Sequence, residues 1–290
     1  MHVNGNATSA HQNVALLSLA TTLADRITTS AEIESRLAAT LKRLRLPTGL
    51  LQRVAGITER RNWADGQSFE TAAIEAGEKA LAEAGIDASE VGLLINTSVT
   101  RKHLEPSVAV RMHHGLGLPS SAINFDLANA CLGFVNGMTL AAQLIDSGAV
   151  RYAMIINGED ADEIQDNTIE RLNRPGIGRK EFMSEFASLT LGSGAAAALL
   201  GPADLHASGH RILGGVTRAA TQFNDLCVGS VNGMYTDAKA GGTVLNNLFQ
   251  TGERTATDEQ DVARINLKEF LLRVLAATLR RYGSNRAFDQ

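Results

Sequence analysis

Apolar residues recur at two different periods along this chain, and the switch between them is sharpest over residues 123–146. Ile123, Phe125 and Leu127 alternate with Asn124 and Asp126, the period of a strand with one buried face. The small residues 128–130 then bring the chain into a tight turn at Cys131. Phe134, Met138, Ala141 and Ile145 follow at helical spacing, with Val135 and Ala142 widening that stripe. Ser147-Gly148 stops the helix, and residues 152–157 are the next apolar run, suited to a buried strand.

The same alternation of helix and strand runs through the preceding chain. Residues 1–12 are polar and read as a disordered tail, and residues 14–19 as a first strand. Thr29 or Ser30 caps a helix whose apolar face is Ile33, Leu37, Leu41 and Leu44 and which ends at Pro47. Residues 68–85 form a second helix with Ala72, Ala73, Ala76, Ala80 and Leu81 inward, stopped by Gly85. Residues 91–97 are a short apolar run suited to a strand buried on both faces. This order predicts a layered α/β fold. Further on, Pro175, Gly176 and Gly178 make 171–180 a loop, residues 191–201 are a glycine-punctuated turn into a strand, and another strand starts near Ile212. Residues 238–261 are weakly patterned, and 266–282 is an amphipathic helix with Leu267, Phe270, Leu271, Val274, Leu275 and Leu279 on one face.

Composition narrows the functional classes. A 290-residue chain that is 44% hydrophobic with a net charge of −4 reads as globular, with no electrostatic case for nucleic acid. No apolar stretch is long enough to span a bilayer, and the run 14–24 has no Lys or Arg before it, as a signal peptide would. The two cysteines, Cys131 and Cys227, argue against a disulfide scaffold and fit a reducing cytoplasm. His113 and His114 are adjacent, so they do not share a helix face, and no Cys or carboxylate stands at a zinc spacing nearby; they read as surface or interface residues, and no metal or cofactor is expected.

Cys131 has two readings. At a strand-to-helix junction, free backbone N–H groups and the helix dipole bias a thiol toward thiolate and can hold an oxyanion, which suits attack on an acyl carbonyl. A free cysteine is also a small apolar side chain that packs well in a core.

Residues 124–148 followed by 152–160 closely resemble the nucleophile region of the thiolase superfamily. Within it the match is to the β-ketoacyl-acyl-carrier-protein synthase III group, most closely the OleA type of acyl-CoA head-to-head condensing enzymes. Residues 92–107, 186–200 and 214–227 resemble further segments, so the likeness runs from about Val14 to Asp237. It implies an α-β-α-β-α layered fold with an N-terminal half over 13–205 and a partial second half over 206–290, truncated or divergent from about 238. It makes Cys131 the acyl-accepting nucleophile and Glu105 the base, reaching from one subunit of a dimer into the other's site. A carboxylate does that work only where desolvation makes it a stronger base than an exposed one.

The resemblance also puts Gly56, Ile57 and Arg60 at the acyl-donor entrance, where Arg60 and Trp63 would meet the phosphates and adenine of coenzyme A; an exposed basic turn with a packed tryptophan is the other reading. Phe182 and Phe186 are candidates for lining an alkyl channel, or for ordinary core packing. The implied reaction is transfer of a fatty acyl group from acyl-CoA to Cys131, then Claisen condensation with a second acyl-CoA. One alternative is extension of acyl-CoA with malonyl-acyl-carrier protein. Another follows from a departure: the family pairs its cysteine with a histidine and an asparagine from the second half, but no histidine follows His210 here. That would fit a half-site subunit paired with a full-length paralogue.

Overall fold

The computed structural model describes residues 7–217, 219, 221, 227–230 and 233–236. Its centre is a mixed six-stranded sheet. Strand β1 (Ala7–Ala10) precedes the long strand β2 (Val14–Leu23), and β3 (Arg26–Thr29) with β4 (Glu59–Asn62) forms a separate antiparallel pair. Then come β5 (Val91–Asn96), β6 (Ile123–Asp126), β7 (Tyr152–Glu159), β8 (Gly194–Pro202) and β9 (His210–Arg211). Their order in the sheet is β6-β5-β7-β8-β2-β9, parallel across β6, β5 and β7 and antiparallel beyond. Strand β10 (Gly214–Thr217) pairs with β1, and β11 (Cys227–Ser230) with β12 (Gly233–Thr236).

Two helical layers sandwich the sheet, and side-chain alternation along the strands assigns residues to each. Helices α4 (Phe69–Ala84) and α5 (Val108–Gly115) cover one face. There Ala72, Ala73, Ala76, Ala80 and Met112 pack with Leu94, Met154 and Ile156. Helix α6 (Gly133–Asp146) covers the other face, where Ala141, Ala142 and Ile145 meet Leu93, Ile95 and Ile155. Strands β5 and β7 are thus buried on both faces, as their unbroken apolar runs predict. The caps of α4 are those expected: Ser68 Oγ accepts from Thr71 N–H, and Gly85 is left-handed at φ 66°.

Several expectations change. The tail read as 1–12 is structured from Ala7: β1 pairs with β10, and His11 is buried with its Nδ1 3.3 Å from Asp146 Oδ2. The first strand runs beyond 19 to Leu23, with an irregularity between Leu16 and Ser18 that resets its alternation. The helix expected from Thr29 to Pro47 breaks at Leu37 into α1 (Ser30–Arg36) and α2 (Ala38–Arg43). Its start is as expected, with Thr29 and Glu32 forming a capping box. Residues 59–62, taken as loop, are strand β4; their charged sequence hides a strand that pairs only with the equally short β3. The helix expected over 266–282, and the diverging tail from 238, lie outside the described residues.

A satellite core lies under α1, α2 and α3 (Leu50–Ala55), joined by α7 (Asp162–Leu172) and α8 (Arg179–Ser184). Asp162, at the start of α7, accepts hydrogen bonds from Arg26 Nη2 at 2.7 Å and from Asn62 Nδ2. Burial nonetheless raises its pKa above the usual carboxylate value, with neighbouring Asp160 adding to the rise. A carboxyl whose folded pKa exceeds its unfolded one binds its proton more tightly in the native state, so its ionisation weakens the fold as pH rises. Asp162→Asn is therefore expected to be more favourable, relative to wild type, at pH 7 than at pH 3. Paired urea titrations at the two pH values check the sign.

Candidate active site

Cys131 stands where the period switch places it. Strand β6 ends at Asp126, Leu127 N–H bonds to Asn96 O at 2.8 Å, and residues Ala130–Leu132 form one 3₁₀ turn leading into α6. Ala130 has φ 43°, one of two described non-glycine residues with positive φ. This turn presents Cys131 away from the sheet, and the residue is exposed and free, unlike a cysteine packed in the core. Asn129 Nδ2 donates to Asn136 Oδ1 at 2.6 Å and ties the turn to the first turn and a half of α6.

Two glycines let the helix start lie close behind the cysteine. A Cβ on Gly133 would sit 3.2 Å from the carbonyl oxygens of Leu127 and Thr97, and one on Gly137 3.2 Å from side-chain carbons of Ile155 and Thr97. Backbone oxygens do not yield as a flexible side chain would, so these positions bring α6 against the strand ends. The left-handed residue before the nucleophile stores strain, which costs a non-glycine residue roughly 1–2 kcal/mol. Ala130→Gly is expected to raise stability by about 0.5–1 kcal/mol, the gain being trimmed by the freer unfolded chain. Thermal unfolding would show this as a rise of about 2 °C.

Glu105 lies in the irregular segment between β5 and α5, and it is exposed, as is Leu104 at 87% exposure. The segment itself is anchored. Glu159 accepts from Val99 N–H (2.8 Å), Thr100 N–H (3.0 Å) and the Thr100 hydroxyl (2.6 Å). Lys102 Nζ lies 3.7 Å from the buried Glu70 carboxylate and over the Phe69 ring. Glu105 thus projects from a tethered loop, exposed among the described residues.

The other sequence candidates are placed differently. Arg60 is 6% exposed and donates to Thr28 O and Ser30 Oγ, and burial lowers its pKa from the usual arginine value. Trp63 is 5% exposed in the main core and donates its indole N–H to Glu159 O at 3.0 Å. Both are buried in the described chain, the other of the two placements that the sequence left open for Trp63. Pairing of β3 with β4 turns Arg60 inward, which charge patterning alone could not reveal. Phe182 and Phe186 are buried in the satellite core with Ile33, Leu37, Leu51 and Leu172. Among the described residues, no hydrogen bond joins Cys131 to a histidine. His113 is instead 3.2 Å from Pro119 O, and His206 3.0 Å from the Tyr152 hydroxyl.

Comparison with known proteins decides the family. Residues 125–220 match the 3-oxoacyl-[acyl-carrier-protein] synthase III family. An acyl-CoA:acyl-CoA alkyltransferase of Xanthomonas campestris is 43% identical over 228 residues, covering 79% of this chain and 68% of that protein. The chain belongs to the OleA family. A second such alkyltransferase, from Shewanella oneidensis, is 38% identical over 75% of this chain and 63% of its own length. The present chain therefore spans about two thirds of the curated OleA relatives. Among solved structures, Xanthomonas campestris OleA with bound lauric acid and lauroyl-CoA superposes with a TM-score of 0.83 at 40% identity, over 87% of this chain and 75% of that one. The fold is thiolase-like, as the sequence resemblance implies.

The sequence signals Cys131 and Glu105 as candidates. It does not signal Asp126, Glu159 and Asn129, which hold the two segments, because each acts on residues brought close only by the sheet.

Proposed function

We propose that this chain transfers a fatty acyl group from acyl-CoA to Cys131 and condenses it, without decarboxylation, with a second acyl-CoA. The observation that carries the reading is the exposed thiol at the strained turn into α6. The thiolate attacks the first thioester carbonyl, the tetrahedral oxyanion collapses, and coenzyme A thiolate leaves and takes up a proton. A base then removes a proton from the carbon next to the second thioester carbonyl. The resulting enolate attacks the acyl-cysteine, a C–C bond forms, the C–S bond breaks, and Cys131 leaves as thiolate. The product is a 2-alkyl-3-ketoacyl-CoA, and the proton taken by the base passes to solvent.

Glu105 is the base in this reading, and a second copy of the chain brings it to the site. Support comes from Xanthomonas campestris OleA, of which variants at a cysteine and at a glutamate have been crystallised; their separation along that chain equals that of Glu105 and Cys131 here. Support for a dimer comes from β6, whose outer edge is unpaired among the described residues, with Ile123, Val110, Leu104 and Leu132 exposed on it and on the segments flanking it. An open edge with apolar neighbours is a surface on which another strand pairs. Docking there would also remove water from Glu105. A thiol nucleophile and acyl-CoA substrates suit a reducing compartment such as the cytoplasm. Among the described residues no helix is long and apolar enough to cross a membrane.

The test is incubation of the purified protein with myristoyl-CoA alone, following both free coenzyme A and a condensed β-keto product by mass spectrometry. Release of coenzyme A with appearance of that product is the expected result. Product only when malonyl-acyl-carrier protein is added would assign synthase III chemistry instead, and no acyl-protein adduct in the folded chain would favour a half-site subunit.

A further inference from the structure

We propose that Asp126 is a positioning residue for the condensation step, coupling the segment that bears Glu105 to the strand that leads to Cys131. The inference rests on the function proposed above. The Asp126 side chain is 8% exposed and makes four bonds to three different stretches of chain. Its Oδ1 accepts from Asn96 Nδ2 and Ala109 N–H, both at 2.9 Å. Its Oδ2 accepts from Val108 N–H at 3.0 Å and from Arg101 Nη1 at 3.1 Å.

Those partners bracket Glu105. Arg101 lies four residues before it, and Val108 and Ala109 open the helix three and four residues after it. Ser107, the residue before that helix, makes no side-chain cap, so Asp126 takes the capping role from the end of β6. Both ends of the exposed loop are thereby fastened to one buried carboxylate, which sits on the last residue of β6 and five residues before the nucleophile. A carboxylate holding two helix N–H groups and a guanidinium makes charge-assisted bonds, which fix geometry more tightly than neutral ones. The turn at Cys131 has its own fastenings, from Leu127 to Asn96 and from Asn129 to Asn136. Loosening Asp126 should therefore displace Glu105 and leave the nucleophile in place, and displacement of a catalytic group by about 1 Å suffices to cost about 10²-fold in rate.

The experiment compares wild type, D126N, E105Q and D126N/E105Q in two half-reactions, together with amide hydrogen exchange. D126N is expected to be acylated by myristoyl-CoA within about threefold of the wild-type rate but to condense roughly 10–100-fold more slowly. The double variant is expected to condense no more slowly than E105Q alone, because both changes remove one contribution. Exchange at Val108 and Ala109 should quicken about tenfold or more, with α6 unchanged. R101Q removes only the guanidinium bond and keeps the helix cap; it is expected to show the same split more weakly, and it decides the matter if D126N does not fold. Equal losses in both half-reactions, multiplying losses in the double variant, or unchanged exchange at Val108 and Ala109 would overturn the proposal. Absence of condensation in wild type would overturn the function instead, and exchange alone then reads whether Asp126 holds the segment.

Discussion

Cys131→Ala is expected to abolish acylation. Intact-protein mass spectrometry after incubation with myristoyl-CoA should show a gain of one acyl group in wild type and none in the variant, with condensation falling at least about 10³-fold. Removal of a covalent nucleophile has this effect because no other group can form the intermediate that splits the reaction into two easier steps. The thiol is exposed and alanine fits the same backbone, so the variant should fold normally. An equal mass gain in wild type and variant would move the acyl group to another nucleophile and end the assignment of Cys131.

Glu105→Gln separates the second step from the first. The amide keeps the shape of the side chain but cannot take a proton, so the variant should become acylated and then stall, with condensation slowed about 10²–10⁴-fold, the range of general-base contributions. Accumulated acyl-enzyme on the intact-mass spectrum is the signature. Because Glu105 is exposed in its own chain and is proposed to act across a two-fold interface, mixing the C131A and E105Q proteins should restore condensation: the mixed dimer has one site with both groups. Failure of the mixture, with subunit exchange demonstrated, would place Glu105 in the same chain's site or remove it from the reaction.

Local signals in the sequence were read correctly where local physics decided the outcome. The spacing of Phe134, Met138, Ala141 and Ile145 fixes the face that α6 turns to the sheet, Ser68 and Gly85 bound α4, and the unbroken apolar run of β5 marks a strand covered on both sides. Arg60 and Trp63 lie buried, and Phe182 and Phe186 sit in the satellite core, for one shared reason. A charged or aromatic side chain on a short element points wherever its pairing directs it, and neither the β3–β4 ladder nor the satellite core has a sequence period long enough to read.

What the sequence determined by itself is the switch from period two to the helical period at Cys131, which puts a thiol at a strand-to-helix turn, together with the motif that names its family. Tertiary structure decided that the thiol faces solvent, since that depends on the left-handed backbone at Ala130 and on the close seat of Gly133 and Gly137. It also decided that Asp126 and Glu159 hold the segment of Glu105. Those carboxylates reach partners 17 to 60 residues away, and only a parallel sheet, by lining up the ends of β5, β6 and β7, brings such distant groups within a hydrogen bond of one another.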